Sequence, residues 1–181
     1  MHIKTIKRLL IMTLLASILS ACAGNKLAPI PPVAMVDLPK FMGDWYVLAV
    51  IPTMIETEAY NAIENYKLDS DGTIATTFTF NKGSLDGSVK TYHPRGFVVK
   101  NSGNGLWGMQ FIWPIKAEFI IAYLDEAYTQ TIIARNARDY VWIMARTPTL
   151  SEAEYNKLTA IVTSMGYDLS KLRKVPHNAA Q

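Results

Sequence analysis

Between Gly43 and Arg146 the apolar positions recur with a period of two. The run TIATTFTFN (73–81) puts Ile74, Thr76, Phe78 and Phe80 on one side and Thr73, Ala75, Thr77 and Thr79 on the other. That alternation predicts a strand with one face in a core and one in water. Comparable runs predict seven more strands, at 43–51, 59–68, 89–100 (bent around Pro94 and Gly96), 106–113, 117–125, 129–136 and 139–146. In LWGMQFIW (106–113), Trp107, Met109, Phe111 and Trp113 share a face. Turn residues separate the runs: Pro52, DSDG at 69–72, Asp86-Gly87 and NSGNG at 101–105. No helix-length stretch interrupts them, which argues against parallel βαβ units.

Beyond Arg146 the period changes. Thr149 stands three residues before Glu152, the spacing of a capping box, and Leu150, Leu158, Ile161, Val162 and Met165 fall near one helical face. Gly166 is placed to end the helix. A short amphipathic piece follows, then a fraying tail, which KLRK (171–174) is expected to solvate. Eight antiparallel strands leave a sandwich or a closed barrel. The even, hairpin-like spacing favours the barrel, whose interior has room for one small ligand. The expected fold is all-β: an eight-stranded antiparallel up-and-down β-barrel with one C-terminal α-helix.

The N-terminus follows neither pattern. Lys4, Lys7 and Arg8 precede LLIMTLLASIL (9–19), an apolar run of signal-peptide length, too short to span a bilayer. Those three bases account for the formal net charge of +3. The remainder is balanced and carries no electrostatic footprint for nucleic acid. Cys22 is the only cysteine, so the core alone must hold the fold. GNKLAPIPPVAMVDLP (24–39) is rich in proline and reads as an extended tether. The expected organisation is a leader over 1–21, a tether over 22–40, a barrel with its helix over 41–175 and a flexible tail over 176–181.

LSAC (19–22) resembles the lipobox of bacterial lipoproteins. In that group the leader is cut before the cysteine, whose sulfur then carries a diacylglycerol, so the resemblance implies that Cys22 is a lipid anchor. An Asp after the cysteine tends to retain enteric lipoproteins in the inner membrane. Here it is Ala23, which implies the outer membrane, with the periplasmic face expected.

FMGDWYVLA (41–49) resembles the Gly-x-Trp-Tyr motif of the lipocalins, at Gly43, Trp45 and Tyr46. DYVWIMARTPTLSEAE (139–154) resembles their last-strand motif, with Arg146 as its basic residue. The bacterial outer-membrane lipoprotein lipocalins match best, and the resemblance extends from 41 to about 175. The Thr-Asp-Tyr motif of many animal members is poorly met, DEAY (125–128) being the nearest stretch. The resemblance implies binding of lipids or other lipophilic molecules, such as fatty acids or lysophospholipids, for storage, transfer or repair in the cell envelope. A homodimer is left open.

Physically, the paired motifs serve the scaffold. A barrel holding an apolar ligand must be closed at one end, and Trp45 is expected to form that floor. Arg146 is expected to lie across the indole, a cation–π contact of roughly 0.5–2 kcal/mol, and Gly43 to let the backbone pass close by. Parity from Trp45 and Arg146 points Val47, Ala49, Tyr140, Trp142 and Met144 inward. It adds Tyr66, Phe78, Trp107, Met109, Phe111, Phe119, Ile121 and Tyr123 as candidate ligand contacts. Glu64 shares this face if the register holds. A shift of one residue puts it in water, and the solvated position is the one expected.

Catalytic constellations are sparse. Outside the leader only His93 and His177 remain, without evident carboxylate neighbours, and there is no zinc spacing, phosphate loop or nucleophile elbow. A non-enzymatic protein without metal or cofactor is expected. The alternative is an isomerase or epoxide-type enzyme using Glu64, Tyr66 and Tyr140 as acid–base groups. An integral outer-membrane barrel is a third reading, which leaves the lipobox and the helix without a role.

Overall fold

The computed structural model describes residues 27–53 and 56–178. The leader and Cys22 lie outside the described residues. A short helix α1 (Leu38–Phe41) precedes β1 (Gly43–Ile51), β2 (Ala59–Leu68), β3 (Thr73–Lys82), β4 (Val89–Tyr92), β5 (Arg95–Val98), β6 (Leu106–Ile112), β7 (Ile115–Leu124), β8 (Gln130–Ala134) and β9 (Val141–Ala145). Helix α2 (Glu152–Ser164), a 3₁₀ turn (Leu169–Lys171) and β10 (Arg173–Lys174) complete the chain. Consecutive strands pair antiparallel, and β1 pairs with β9 to close the sheet. Both β4 and β5 pair with β3. They are therefore one barrel strand broken around Pro94, so the barrel has the eight strands expected.

The β3 parity is as the sequence predicts: Ile74, Thr76, Phe78 and Phe80 are buried and their neighbours are not. In contrast, β9 is buried at every position and β8 at every position but Gln130. Two cores explain the difference. One fills the barrel and includes Trp45, Val47, Phe78, Trp107, Phe119, Trp142 and Met144. The other lies outside the wall, where Leu158 and Val162 of α2 cover Ala49, Ile120, Ile132, Val141 and Ile143. A strand with both faces buried loses its alternation. Away from the face that α2 covers, the barrel's buried apolar side chains point inward, whereas a membrane-spanning barrel carries an apolar band around its outside.

Helix α2 begins two residues later than its sequence spacing suggested. Ser151 is the N-cap, and its side chain and that of Glu154 form the reciprocal capping box. Gly166 follows the helix with φ +86°. The expected tail does not fray where it is described. Strand β10 pairs with Ala49 and Val50 of β1, where β1 has already diverged from β2. The Arg173 guanidinium donates to the carbonyls of Glu56 and Ala59, so it seals the β1–β2 gap rather than solvating a tail. His177 Nε2 lies 2.8 Å from the Val47 carbonyl, and Asn61 N–H donates to the Pro176 carbonyl at 2.9 Å.

The proline-rich segment also departs from the free tether expected. It lies along the outside of the barrel, held by Ile30 N–H to Asn136 Oδ1, Val33 N–H to the Ile121 carbonyl and Val36 N–H to the Gly103 carbonyl.

Candidate ligand cavity

The strands define two ends. The closed end carries α1, the β2–β3, β5–β6 and β7–β8 turns, and Arg146. Phe41 of α1 packs on Trp45, Tyr66 and Trp107 at ring distances of 5.0, 5.5 and 5.6 Å. Trp45 Nε1 donates to the Phe41 carbonyl at 2.9 Å, and Trp107 Nε1 donates to the Asn104 carbonyl at 2.7 Å. Both indoles thus fill the floor without burying an unpaired N–H. The Arg146 guanidinium lies 3.8 Å from the Trp45 ring centroid. Gly43 has φ +91°, and a Cβ there would sit 3.5 Å from Arg146 Nη1, an ordinary contact. Its glycine thus answers a left-handed backbone more than a close approach.

At the open end, Pro52, Thr53 and Glu56 of the β1–β2 loop meet Met109, Phe111, Ala117, Phe119, Arg135, Asp139, Tyr140 and Trp142 around a cavity of about 470 Å³. Most of this lining is aromatic or aliphatic, with a few polar groups at the rim, which suits a small apolar ligand. Arg135 is the cation at the rim, paired with Asp139 at 3.0 Å. Buried Glu56 accepts from Trp142 Nε1 at 3.0 Å and from Thr53 N–H at 3.1 Å. Burial pushes the Glu56 carboxyl up, and those hydrogen bonds oppose the shift. Glu56 was missed from sequence because it lies in a loop with no periodicity to assign its side chain to a face.

Of the sequence candidates, Met109, Phe111, Phe119, Tyr140 and Trp142 line the cavity. Tyr66, Phe78, Trp107 and Ile121 are also inside the barrel but fill its core outside the cavity lining. Phe78 stacks on Trp142 at 5.6 Å, and Trp107 stacks beneath Phe119 at 5.1 Å. Tyr123 and Ala49 do not point inward. The β7 register shifts between Ile121 and Tyr123, and the β1 register shifts between Val47 and Ala49. Each bulge reverses the parity that the sequence argument carried forward. Tyr123 packs outside against the helix layer, where its hydroxyl meets Lys157 Nζ at 3.0 Å. A further register shift past Met109 leaves Phe111 at the rim and Trp113 on the tip of the turn, 82 % exposed.

Glu64 corrects the expectation of a solvated carboxylate. It is fully buried, between Trp45 of β1 and Phe78 of β3. Neither of its carboxyl oxygens, nor the nearby Tyr66 hydroxyl, has a hydrogen-bond partner among the described residues. Burial, reinforced by the Glu56 charge, raises the Glu64 carboxyl well above its ordinary value. Burial thus favours the neutral form of Glu64. Of the three groups in the acid–base alternative only Tyr140 lines the cavity, and its hydroxyl donates to the Glu118 backbone carbonyl. Among the described residues no group of three or more His, Cys, Asp or Glu side chains can hold a metal ion.

A closed antiparallel barrel, plugged at one end and hollow at the other, is an architecture that encloses one small ligand. The chain belongs to the lipocalin-like family, whose domain model matches residues 36–177. It is 28 % identical over 151 residues to temperature-induced lipocalin-1 of Arabidopsis thaliana, covering 78 % of this chain and 80 % of that one. It is 27 % identical over 171 residues to the outer membrane lipoprotein Blc of Escherichia coli, covering 86 % and 88 %. Insecticyanin from the tobacco hornworm Manduca sexta shares the fold, with a TM-score of 0.66 at 16 % identity, covering 83 % and 86 %. These relatives include outer-membrane lipoproteins of the bacterial subgroup that the sequence motifs resemble.

Proposed function

We propose that this protein is a lipid-anchored lipocalin of the outer membrane that binds small lipophilic molecules, fatty acids or lysophospholipids, for storage, transfer or repair in the cell envelope. The observation that carries the proposal is the 470 Å³ cavity whose apolar lining includes Met109, Phe111, Phe119 and Trp142. Each buried methylene of an acyl chain contributes about 0.8 kcal/mol. Arg135 at the rim is suited to an anionic head group. Phe119 and Met109 offer apolar contact lower down, and the buried carboxyl of Glu64 lies deeper still. An acyl chain therefore enters tail first. The relatives named as outer membrane lipoproteins, together with the LSAC run ending at Cys22, support acylation of Cys22 and the envelope location.

The test is titration of fatty acids and lysophospholipids against intrinsic fluorescence, since Trp142 lines the cavity. Saturable quenching that is lost in Trp142→Phe is expected. Absence of quenching, together with no lipid in an organic extract of the purified protein, overturns the proposal.

A further inference from the structure

Among the described residues, three of the four most exposed large apolar side chains sit in one hairpin. In the β6–β7 hairpin, Ile112 is 71 % exposed, Trp113 82 % and Ile115 67 %. Phe111, next in the chain, lines the cavity rim. Val89 of the adjacent β3–β4 hairpin, at the same end, is 65 % exposed. Consecutive exposed apolar residues on a projecting turn are unfavourable in water and mark an interaction site. An exposed apolar hairpin tip of this kind can enter a soft apolar phase.

The N-terminal segment supplies a second, independent observation. It runs along the barrel from the open end to the closed end. Val36 and Asp37 are held near the floor, by the Gly103 carbonyl and the Tyr128 hydroxyl. Ala28 and Ile30 are held at the open end, by Arg138 and Asn136 of the β8–β9 loop. Cys22 stands six positions before Ala28. That length of chain reaches at most about 20 Å, so a lipid on Cys22 ties the open end, not the floor, to the membrane.

We propose that the open end docks on a lipid bilayer, with Ile112, Trp113 and Ile115 inserted at its surface and the cavity mouth facing the lipid. The hairpin part rests on exposure alone, while the direction of tethering rests on the proposed acylation of Cys22. Tryptophan is well suited to the role, because its ring favours the boundary between head groups and acyl chains. The open-end surface carries Glu58, Asp86 and Asp139 beside Lys82, Lys90, Lys116, Arg135 and Arg138, so charges of both signs surround the hairpin, and the attraction comes from its apolar tip. The cavity then meets its ligands at the membrane surface, and an acyl chain passes between bilayer and barrel without crossing bulk water.

The experiment uses the purified protein in vesicles of phosphatidylethanolamine and phosphatidylglycerol whose acyl chains carry bromine, which quenches tryptophan on contact. Trp45 and Trp107 are buried in the floor, but Trp142 lines the cavity, so the protein carries Trp142→Phe throughout, which leaves Trp113 as the tryptophan within reach of the lipid. Quenching that disappears in Trp113→Tyr and persists at high salt is expected. The Ile112→Ser/Ile115→Ser variant is expected to slow transfer of a bound fluorescent fatty acid to vesicles by about tenfold, with its affinity in solution unchanged. Unquenched Trp113 overturns the proposal, as does quenching abolished by salt. Concentration-dependent protection of Trp113 without vesicles also overturns it, because that identifies a second copy as the partner. Mass spectrometry reads the anchor separately: an unmodified Cys22 with Trp113 quenched removes the tethering argument and leaves the hairpin. A fluorescent fatty acid that fails to bind in solution defeats the ligand-binding proposal, whatever Trp113 reports.

Discussion

Arg146 covers the Trp45 ring at 3.8 Å and, in the same position, donates to the carbonyls of Lys40, Phe41, Met42 and Asp44. The end of the last barrel strand is thereby tied to the chain entering the first. A planar guanidinium can stack on the ring and fan its N–H groups in one plane, which an ammonium cannot do. Arg146→Lys is expected to lower the unfolding free energy by about 2 kcal/mol, since charge-assisted hydrogen bonds contribute about 1.5–3 kcal/mol each and lysine keeps only part of the set. Urea denaturation followed by Trp fluorescence measures this. An unchanged midpoint would show that the floor stands without the clamp.

Glu64 gives stability a pH dependence whose sign can be worked out. Its carboxyl is raised in the folded state, so the native protein keeps a proton that the unfolded chain releases above about 4.5. Stability is full below that ordinary value and falls as pH rises towards the raised one. Glu64→Gln removes this slope. The variant is expected to unfold at a higher temperature than the parent at pH 8, by at least about 1 kcal/mol in stability, with the gap closing near pH 4. Thermal melts across that range decide the matter, and parallel curves for the two proteins would refute a neutral buried Glu64.

Ala117 is a small residue on the cavity wall, paired with Met109 across β6–β7. Ala117→Phe is expected to fill part of the cavity and weaken fatty-acid binding at least tenfold, about 1.4 kcal/mol, with little change in stability. Isothermal titration beside a urea curve separates the two effects.

The β7 bulge makes a sharp contrast between two aromatic residues. Phe119 lies in the cavity, while Tyr123 lies under the helix layer with its hydroxyl on Lys157. Tyr123→Ala is expected to leave ligand affinity unchanged and to destabilise the protein by about 2 kcal/mol through lost packing. Loss of affinity in Tyr123→Ala would mean that the inward parity of the sequence argument was right after all.

Ser151 caps α2 from outside the hydrophobic layer. Ser151→Ala is expected to cost about 1 kcal/mol, read from the urea midpoint, with no effect on the cavity. The same loss from Thr149→Ala would instead favour the cap position suggested by sequence spacing.

The sequence by itself determined the eight barrel strands, the helix that follows them, their order and the floor pair, but not α1 or β10. Period-two and helical patterns are local properties of the chain, and Trp45 and Arg146 sit in recognisable runs. It also placed Met109, Phe119, Tyr140 and Trp142 correctly on the inner face, because no bulge intervenes between them and the residues that set their parity. Tertiary structure decided the rest. Bulges in β1 and β7 turned Ala49 and Tyr123 outward, since one extra residue reverses a two-residue period and leaves little trace in composition. Glu56 reached the cavity from a loop, where no period exists to assign a face, and Arg135, which the sequence placed in the strand over 129–136, reached it from just past the end of β8. Arg173, which read as part of a solvated basic patch, became the seal between β1 and β2 because carbonyls from a distant segment lay open there. Burial of Glu64 was likewise settled by its neighbours across the sheet, Trp45 and Phe78: whether a carboxyl meets water depends on what stands opposite it, and pairing between strands distant in the chain fixes that.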